Sequence, residues 1–145
     1  MKSLNVYSNL VSSNISSISI VTDGLLNSLQ DTCGQLNDTT LFDIRVIINE
    51  LLVNAIMHGN RGNENKSVRI SAGIAEKTEL YIMIEDEGCG YDYVKLCDEQ
   101  ASQPCDTGPD NMCECGRGLR IVKSLCDKVK VNSKGNKIVI MKHID

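Results

Sequence analysis

Three polar side chains that could do chemistry recur at four-residue intervals within one apolar stretch. They are Glu50, Asn54 and His58, and side chains four residues apart lie on the same face of a helix. A buried carboxylate or carboxamide is costly unless a partner satisfies it. A carboxamide oxygen can ligate Mg²⁺ beside phosphate oxygens, and a carboxylate one turn earlier can accept a proton. The alternative interpretation is that Glu50 and Asn54 line a solvated edge of the helix.

A second motif follows the strand pattern that ends near residue 86 and reads Asp86-Glu87-Gly88-Cys89-Gly90. A carboxylate at a strand end can accept hydrogen bonds from an exocyclic amine. Because Gly88 and Gly90 carry no side chain, a flat ring could approach the backbone closely there. By itself this pattern also fits an ordinary tight turn.

A third motif, Gly116-Arg117-Gly118-Leu119, precedes a short helix pattern that runs to Cys126. Its glycines would let backbone N–H groups face an anion at the helix N-terminus, where the helix dipole also favours negative charge. Arg117 could add a phosphate contact. Taken alone, the motif is equally consistent with a flexible turn before a helix.

Two stretches with helical spacing of apolar residues predict the helices that would carry part of this chemistry. The first covers residues 15–29 and includes Gly24. Three residues before it offer helix caps: Ser12, Ser13 and Asn14. Residues 31–40 are predicted to form a polar loop. The second stretch, residues 41–56, is apolar around most of its circumference, which predicts a buried helix that ends at Gly59.

Alternating apolar residues predict the strands. Leu4 and Val6 suggest a short first strand. A Gly- and Asn-rich turn over residues 60–66 separates the second predicted helix from the next predicted strand. Residues 68–74 and 80–84 alternate, and the second of these strands ends at Glu85 and Asp86. Residues 133–136 separate two further strand patterns, which predicts a hairpin.

Residues 91–115 are polar, include both prolines and show no sustained periodicity. Loops of this length within a compact domain are usually functional or disordered, so we expect a lid over a ligand at about residues 92–115. Four cysteines fall in this segment: Cys97, Cys105, Cys113 and Cys115. They could bind zinc or sense redox state, but they lack the usual paired zinc-knuckle spacing, so inert thiols are the default interpretation.

Composition limits the function classes. The 145 residues fit one domain, residues 1–145. A net charge of −4 argues against non-specific nucleic-acid binding. We expect no direct nucleic-acid partner and no membrane association, because there is neither a signal peptide nor an apolar run long enough to span a bilayer. Seven cysteines without a secretion signal favour a cytoplasmic protein with reduced thiols.

In their order and spacing, the three motifs resemble the N, G1 and G2 boxes of the ATPase fold shared by gyrase, the heat-shock chaperone ATPase and histidine kinases. Within that group the chain is most similar to the anti-sigma factor serine/threonine kinases, the small switch kinases of bacterial stress and sporulation circuits. The resemblance rests on Glu50-x-x-x-Asn54-Ala55-x-x-His58-Gly59, on Gly116-Arg117-Gly118-Leu119, and on the closing hairpin through Met141-Lys142. It extends over nearly the whole chain, although the cysteine-rich lid departs from it.

This resemblance implies an α/β fold: a two-layer α/β sandwich with a mixed, mostly antiparallel sheet and helices on one face. ATP would lie between the three motifs and the lid. By similarity, Glu50 would be the catalytic base and Asn54 the Mg²⁺ ligand. The other nucleotide-binding residues would be Asp86 at the adenine amino group, Gly88 and Gly90 in the adenine pocket, and Gly116, Arg117, Gly118 and Leu119 at the phosphates. His58 is left outside the catalytic set, because a histidine near a helix end is more often a cap or a structural residue.

The resemblance also implies partners: a sigma factor, a small anti-anti-sigma antagonist phosphorylated on Ser or Thr, and a second copy of the chain in a homodimer. The main alternative is an ATP-gated protein-binding regulator without kinase activity, which would have no need of Glu50. A histidine kinase catalytic domain is disfavoured, because the chain has no helical dimerisation segment with a phosphoacceptor histidine. A nucleotide-free interaction domain with the same fold is the remaining alternative, and an ATP-binding assay separates it.

Overall fold

The computed structural model describes residues 3–76, 78–88 and 119–144. These form five strands, two long helices, a π-helical turn and one short helix. In chain order they are β1 (Ser3–Ser12), α1 (Ser17–Cys33), α2 (Asp38–Val53), the π-helical turn (Asn54–Gly59), β2 (Ser67–Ala75), β3 (Glu79–Asp86), α3 (residues 119–125), β4 (Lys128–Val131) and β5 (Lys137–His143). The predicted helix that carries Glu50 and Asn54 and ends at Gly59 is therefore confirmed.

The strands form one sheet in the order β1-β2-β3-β5-β4, and each described pairing is antiparallel. The register places Val68 opposite Asp86 and Ile84 opposite Ile138. The mostly antiparallel sheet is thus confirmed, and the parallel pairing that a mixed sheet implies does not occur among the described strands. The predicted hairpin is β4–β5, and β5 lies between β3 and β4.

Alternation along the strands gives the sheet one apolar face, against which the helices pack. In β2 and β3 every second residue is buried, including Ile70 and Ile82. The buried side chains of α1 and α2 belong to the same hydrophobic cluster, and Leu25, Leu29, Ile47 and Ile48 are all fully buried in it. The opposite face carries half-buried residues and an open groove, so the two-layer α/β sandwich with helices on one face is confirmed.

The start of α1 differs from the prediction. Ser12 ends β1, and Ser13 is buried and donates its hydroxyl to Lys66 O at 3.0 Å, so neither caps a helix. Asn14 does bond locally, because its Oδ1 accepts from Ser16 N at 2.9 Å, and the helix begins only at Ser17. These polar residues near the chain reversal therefore serve tertiary contacts as well as local ones.

The polar loop predicted at residues 31–40 is shorter than expected. Helix α1 continues to Cys33, and the Asn37 side chain caps α2 by accepting from Thr40 N at 2.8 Å. Only residues 34–37 remain outside the helices. Strand β1 is longer than the short strand predicted, since it spans ten residues and pairs with β2 through Ser12. Pairing with β2 supplies backbone hydrogen bonds that its weak alternation of apolar residues does not reveal.

Candidate functional site

The helix that carries the first motif changes its winding where the motif begins. Asn54 N still donates to Glu50 O, as in an α-helix, but Asn60 N donates to Ala55 O at 2.8 Å, five residues back. Gly62 N donates to Ile56 O at 2.7 Å. Short π-helical segments inside helices are rare and frequently occur at functional sites. The bond from Asn54 N to Glu50 O keeps Glu50, in α2, and Asn54, at the start of the π-helical turn, on one helix face, and His58 lies within the widened turn.

Asn54 is 3% exposed, and its Nδ2 has no hydrogen-bond partner among the described residues. Leaving a buried donor unsatisfied costs roughly 1–3 kcal/mol, so such a group points to a ligand or water that accepts from it. A carboxamide that donates from nitrogen to a phosphate oxygen can still offer its oxygen to a divalent cation. The residue present at position 54 thus fits a nucleotide phosphate with its Mg²⁺.

Glu50 lies one turn before Asn54 and is half-buried. Burial raises the pKa of its carboxyl group above the ordinary value, because desolvation disfavours the charged form. Burial lowers the pKa of His58, because desolvation disfavours the charged imidazolium form. A carboxylate with a raised pKa is a better proton acceptor than a solvated one, and this matches the chemistry expected of a general base.

Asp86 ends β3 and is 3% exposed. Its Oδ1 accepts from Gly88 N at 2.7 Å, which folds residues 86–88 into a tight turn. Burial raises the pKa of Asp86, and this effect outweighs the hydrogen bond from Gly88, which lowers it. The repulsion from Glu85 adds to the rise, while Lys134 and Lys66 oppose it. The carboxylate is therefore held in one orientation in a poorly solvated place.

The first and second motifs meet at two glycines. A Cβ added to Gly59 would lie 2.2 Å from Asp86 Oδ2, and a Cβ added to Gly88 would lie 1.9 Å from Gly59 O. No side chain fits either position without moving the backbone or the carboxylate. In the structure the missing side chain of Gly88 makes room for the backbone of Gly59, and its predicted role in the approach of a flat ring stays a prediction. The end of the π-helical turn and the turn after β3 are thus in direct contact.

The hairpin turn holds Asp86 from the other side. Asp86 N donates to Asn136 O at 2.9 Å, and Asn136 Nδ2 donates to Asp86 O at 3.1 Å. Sequence reasoning missed Asn136 and gave Gly59 only the role of ending the helix. An asparagine in a turn is too common to mark a site, and only the pairing of β3 with β5 brings Asn136 to Asp86.

The structure therefore brings together the elements that carry Glu50, Asn54, Asp86 and Gly88. Leu119 is 1% exposed and packs in the core at the described start of α3, so its side chain anchors that helix. Four predicted site residues lie outside the described residues: Gly90, Gly116, Arg117 and Gly118. The expected lid at about 92–115, with its four cysteines, also lies outside them. Within residues 3–76, 78–88 and 119–144, no group of three or more His, Cys, Asp or Glu residues could hold a metal ion.

Comparisons with known proteins identify the family and the fold. Residues 18–142 match the histidine kinase-like ATPase domain family. The chain is 28% identical over 144 residues to the anti-sigma F factor of Priestia megaterium, an alignment that covers 97% of this chain and 92% of the relative. It is 33% identical over 108 residues to the anti-sigma F factor of Clostridium perfringens, covering 72% and 74% of the two chains.

The serine-protein kinase RsbW of Oceanobacillus iheyensis is 32% identical over 99 residues, which cover 68% of this chain and 62% of that protein. Among solved structures, the histidine kinase domain of a blue-light activated histidine kinase from Erythrobacter litoralis superposes with a TM-score of 0.52 at 17% identity. That superposition covers 88% of this chain and 60% of the other, and it shows a common fold. None of the described helices has the length and apolar character needed to cross a bilayer.

Proposed function

Because the chain belongs to the histidine kinase-like ATPase domain family, among the anti-sigma factors and serine-protein kinases, we propose that it is an ATP-dependent protein-serine/threonine kinase and anti-sigma factor. The observation that carries this proposal is the contact of Gly59 with Asp86. It places the turn that begins at the unsatisfied Asn54 amide beside the buried carboxylate that ends β3. One nucleotide could then engage both motifs.

In this proposal the described residues bind and orient the nucleotide. Asp86 accepts a hydrogen bond from the exocyclic amine of adenine, for which it is preoriented by Gly88 N. Asn54 offers its oxygen to Mg²⁺ and its amide hydrogens to phosphate. When bound, MgATP supplies the phosphoryl group, and its Mg²⁺ neutralises part of the phosphate charge. Gly88 and Gly90 would line the adenine pocket. The phosphates would be contacted by Gly116, Arg117 and Gly118, with the backbone of Leu119.

Glu50 would remove the proton from the attacking serine or threonine hydroxyl. Its side chain leaves the same helix face as Asn54, one turn earlier. Positioning and electrostatics dominate phosphoryl transfer, and the base contributes a smaller factor, typically ~10²–10⁴. Partial burial supports this role because it raises the pKa of Glu50 and so makes the carboxylate a better proton acceptor.

The partners follow from the relatives. Two of those above carry the name anti-sigma F factor and a third the name serine-protein kinase. We therefore include a sigma factor that this chain sequesters and a small anti-anti-sigma antagonist that it phosphorylates, within the cytoplasm. The alternative is an ATP-gated binder without kinase activity. It is favoured by the name anti-sigma F factor, which two of these relatives carry and which mentions no kinase.

The decisive experiment has two stages. Calorimetry with ATP, with and without Mg²⁺, should give one site per chain, and binding should weaken without the metal. Radiolabelled ATP and a small anti-anti-sigma antagonist from the same organism should then give label on Ser or Thr of the antagonist. If the folded protein binds no nucleotide, the proposal fails. If it binds ATP but labels no cognate antagonist, the ATP-gated binder replaces it.

We also propose a homodimer, on family similarity alone. Light scattering at micromolar concentration should give twice the mass of 15.9 kDa. A monomer mass at all accessible concentrations would remove this part of the proposal without touching the nucleotide site.

A further inference from the structure

One fully buried side chain outside the predicted site bridges three separate strands. Asn60 is 1% exposed and directly follows the π-helical turn. Its Nδ2 donates to Ser13 Oγ at 2.7 Å, just after β1, and to Ser67 O at 2.9 Å, at the start of β2. Its Oδ1 accepts from Glu87 N at 2.8 Å, directly after β3. The carboxamide thus uses both of its amide hydrogens and its oxygen.

The bond from Glu87 N to Asn60 Oδ1 matters most for the candidate site, because Glu87 lies between Asp86 and Gly88. Asn60 is therefore the only described side chain that holds the backbone of this turn from the helix side, while Asn136 holds Asp86 from the hairpin side. The Asn60 backbone is fixed as well, since its N donates to Ala55 O at 2.8 Å within the π-helical turn. A rigid path of two hydrogen bonds joins the turn that carries Asn54 to the turn that carries Asp86.

Ser13 and Glu87 complete this cluster. Ser13 Oγ accepts from Asn60 and donates to Lys66 O at 3.0 Å, and the Glu87 carboxylate accepts from Ser67 N. Ser13 therefore supports Asn60 without touching residues 86–88. A substitution at Ser13 therefore tests the contribution of the cluster to folding, whereas a substitution at Asn60 also tests its contribution to the candidate site.

We propose that Asn60 is a positioning residue that sets the selectivity of the site for adenine, by fixing the Glu87 amide and with it the direction of the Asp86 carboxylate. This inference rests on the proposed function, in which Asp86 reads the adenine amine. A carboxylate accepts from an amine but repels the carbonyl oxygen that inosine carries at the same place. Discrimination of this kind requires the carboxylate to lie within a narrow range of positions, since displacements near 1 Å at a site can change rates about 100-fold.

The test measures dissociation constants for MgATP and for Mg-inosine triphosphate by calorimetry, together with the midpoint of urea denaturation. Asn60→Ala removes all three bonds and should reduce the preference for ATP over inosine triphosphate by at least ~10-fold. Ser13→Ala is the matched control, because it disturbs the same cluster and leaves the Glu87 amide with its acceptor. It should lower the urea midpoint and keep the wild-type preference.

Asn60→Asp provides the conservative rescue. It keeps an oxygen facing Glu87 N but loses the donors to Ser13 and Ser67, so it should be destabilised and still prefer ATP. If Asn60→Ala yields no folded protein, Asn60→Ser replaces it, since its hydroxyl is too short to reach the Glu87 amide. We then expect the same loss of preference in Asn60→Ser.

The outcomes separate this inference from the proposed function. If the wild type prefers ATP and every folded Asn60 variant keeps the full preference, Asn60 is only structural and the inference is wrong while the function stands. The same conclusion follows if Ser13→Ala loses the preference as fully as Asn60→Ala. If the wild type binds neither nucleotide, or binds both equally, Asp86 does not read the amine and the proposed site fails together with the inference.

Discussion

At the scale of single residues, the polar groups that folding leaves poorly satisfied coincide with the predicted chemistry. Five polar or charged residues in the described chain are buried: Ser13, Thr22, Asn54, Asn60 and Asp86. Ser13, Thr22 and Asn60 bond to backbone or to one another. Asn54 keeps an unpaired amide and Asp86 a desolvated carboxylate. Proteins commonly accept such local conflicts where a ligand resolves them.

The first prediction concerns Glu50→Gln, which is nearly isosteric and removes the base. Phosphorylation of the antagonist should fall ~10²–10⁴-fold while MgATP binding is retained. Because burial raises the pKa of Glu50, wild-type activity should decline as pH falls through a value above the ordinary range of glutamate. The residual activity of Glu50→Gln should not show this decline. Measuring kcat against pH for both proteins checks the assignment, and equal rates would refute it.

The second prediction concerns Gly59→Ala. The new Cβ would lie 2.2 Å from Asp86 Oδ2, so either the carboxylate or the end of the π-helical turn must move. We expect ATP affinity to fall at least ~10-fold, as displacements near 1 Å can do at a site.

Gly73→Ala is the matched control for this change. Its Cβ would lie 3.0 Å from Leu4 O, on the sheet and distant in the chain from the motifs, so it should affect stability more than binding. Equal ATP dissociation constants for Gly59→Ala and the wild type would show that the close contact has no bearing on the nucleotide.

Residue types and spacing predict Glu50, Asn54 and Asp86 as site candidates only when the three motifs are taken together, because each pattern alone also fits a solvated helix edge or a tight turn. The contact of Gly59 with Gly88, and the bonds that Asn60 and Asn136 make, could not be predicted in this way. They depend on which strand ends lie together, and this is a property of the sheet order rather than of any local pattern.

At the scale of elements, periodicity located the helices and strands that have one apolar face. The strands at residues 68–74 and 80–84 alternate regularly and match β2 and β3 to within one or two residues. The loop predicted between α1 and α2 is longer than the one in the structure, because Asp31, Thr32 and Thr39 are polar yet lie in exposed helical turns. The hydrogen bond that Asn37 Oδ1 accepts from Thr40 N fixes the start of α2, and pairing with β2 fixes the extent of β1; hydrophobicity alone predicts neither boundary.

The third prediction concerns Lys142, which connects three elements. Its Nζ donates to Leu125 O at 2.8 Å, at the end of α3, and lies 3.7 Å from Asp43 Oδ2 on α2. The Lys142 side chain is only 14% exposed. Hydrogen bonds from charged groups contribute ~1.5–3 kcal/mol, so Lys142→Met should lower the free energy of unfolding by roughly 1–3 kcal/mol.

Lys130→Met, on the exposed side of β4, is the matched control and should stay within about 0.5 kcal/mol of the wild type. Urea denaturation of both variants measures the difference. Equal midpoints would mean that α3 is held by its apolar contacts, Leu119 and Val122, without help from this lysine.

At the scale of the whole molecule, the candidate site lies where the two layers meet at one end of the sheet. The end of β3, the turn of the β4–β5 hairpin and the C-terminal end of the α2 segment converge on Asp86. The two-layer fold follows from the apolar alternation of the strands, whereas this convergence follows from placing β5 between β3 and β4. Nucleotide binding and global stability should therefore be coupled through the same carboxylate.

The last prediction tests this coupling with Asp86→Asn in the nucleotide-free protein. Burial raises the pKa of Asp86 in the folded state, so the folded protein binds this proton more tightly than the unfolded chain does. The resulting stabilisation is complete below the ordinary aspartate pKa and is lost as pH rises through the raised value. At neutral pH the ionised carboxylate is thus a net cost, which asparagine removes while keeping an oxygen for Gly88 N.

Asp86→Asn should therefore be more stable than the wild type at neutral pH, by roughly 0.5–2 kcal/mol, as stabilising substitutions at functional sites commonly are. It should also bind ATP more weakly. The loss of stability with rising pH should become shallower, although the raised pKa of Glu50 leaves part of it. Asp31→Asn, an exposed site on α1 with the same charge change, is the control and should leave the profile unchanged. Urea denaturation across the acidic to neutral range measures both effects. If Asp86→Asn is less stable than the wild type at neutral pH and its pH slope is unchanged, the Asp86 carboxylate stabilises the fold and is not held ready for a ligand.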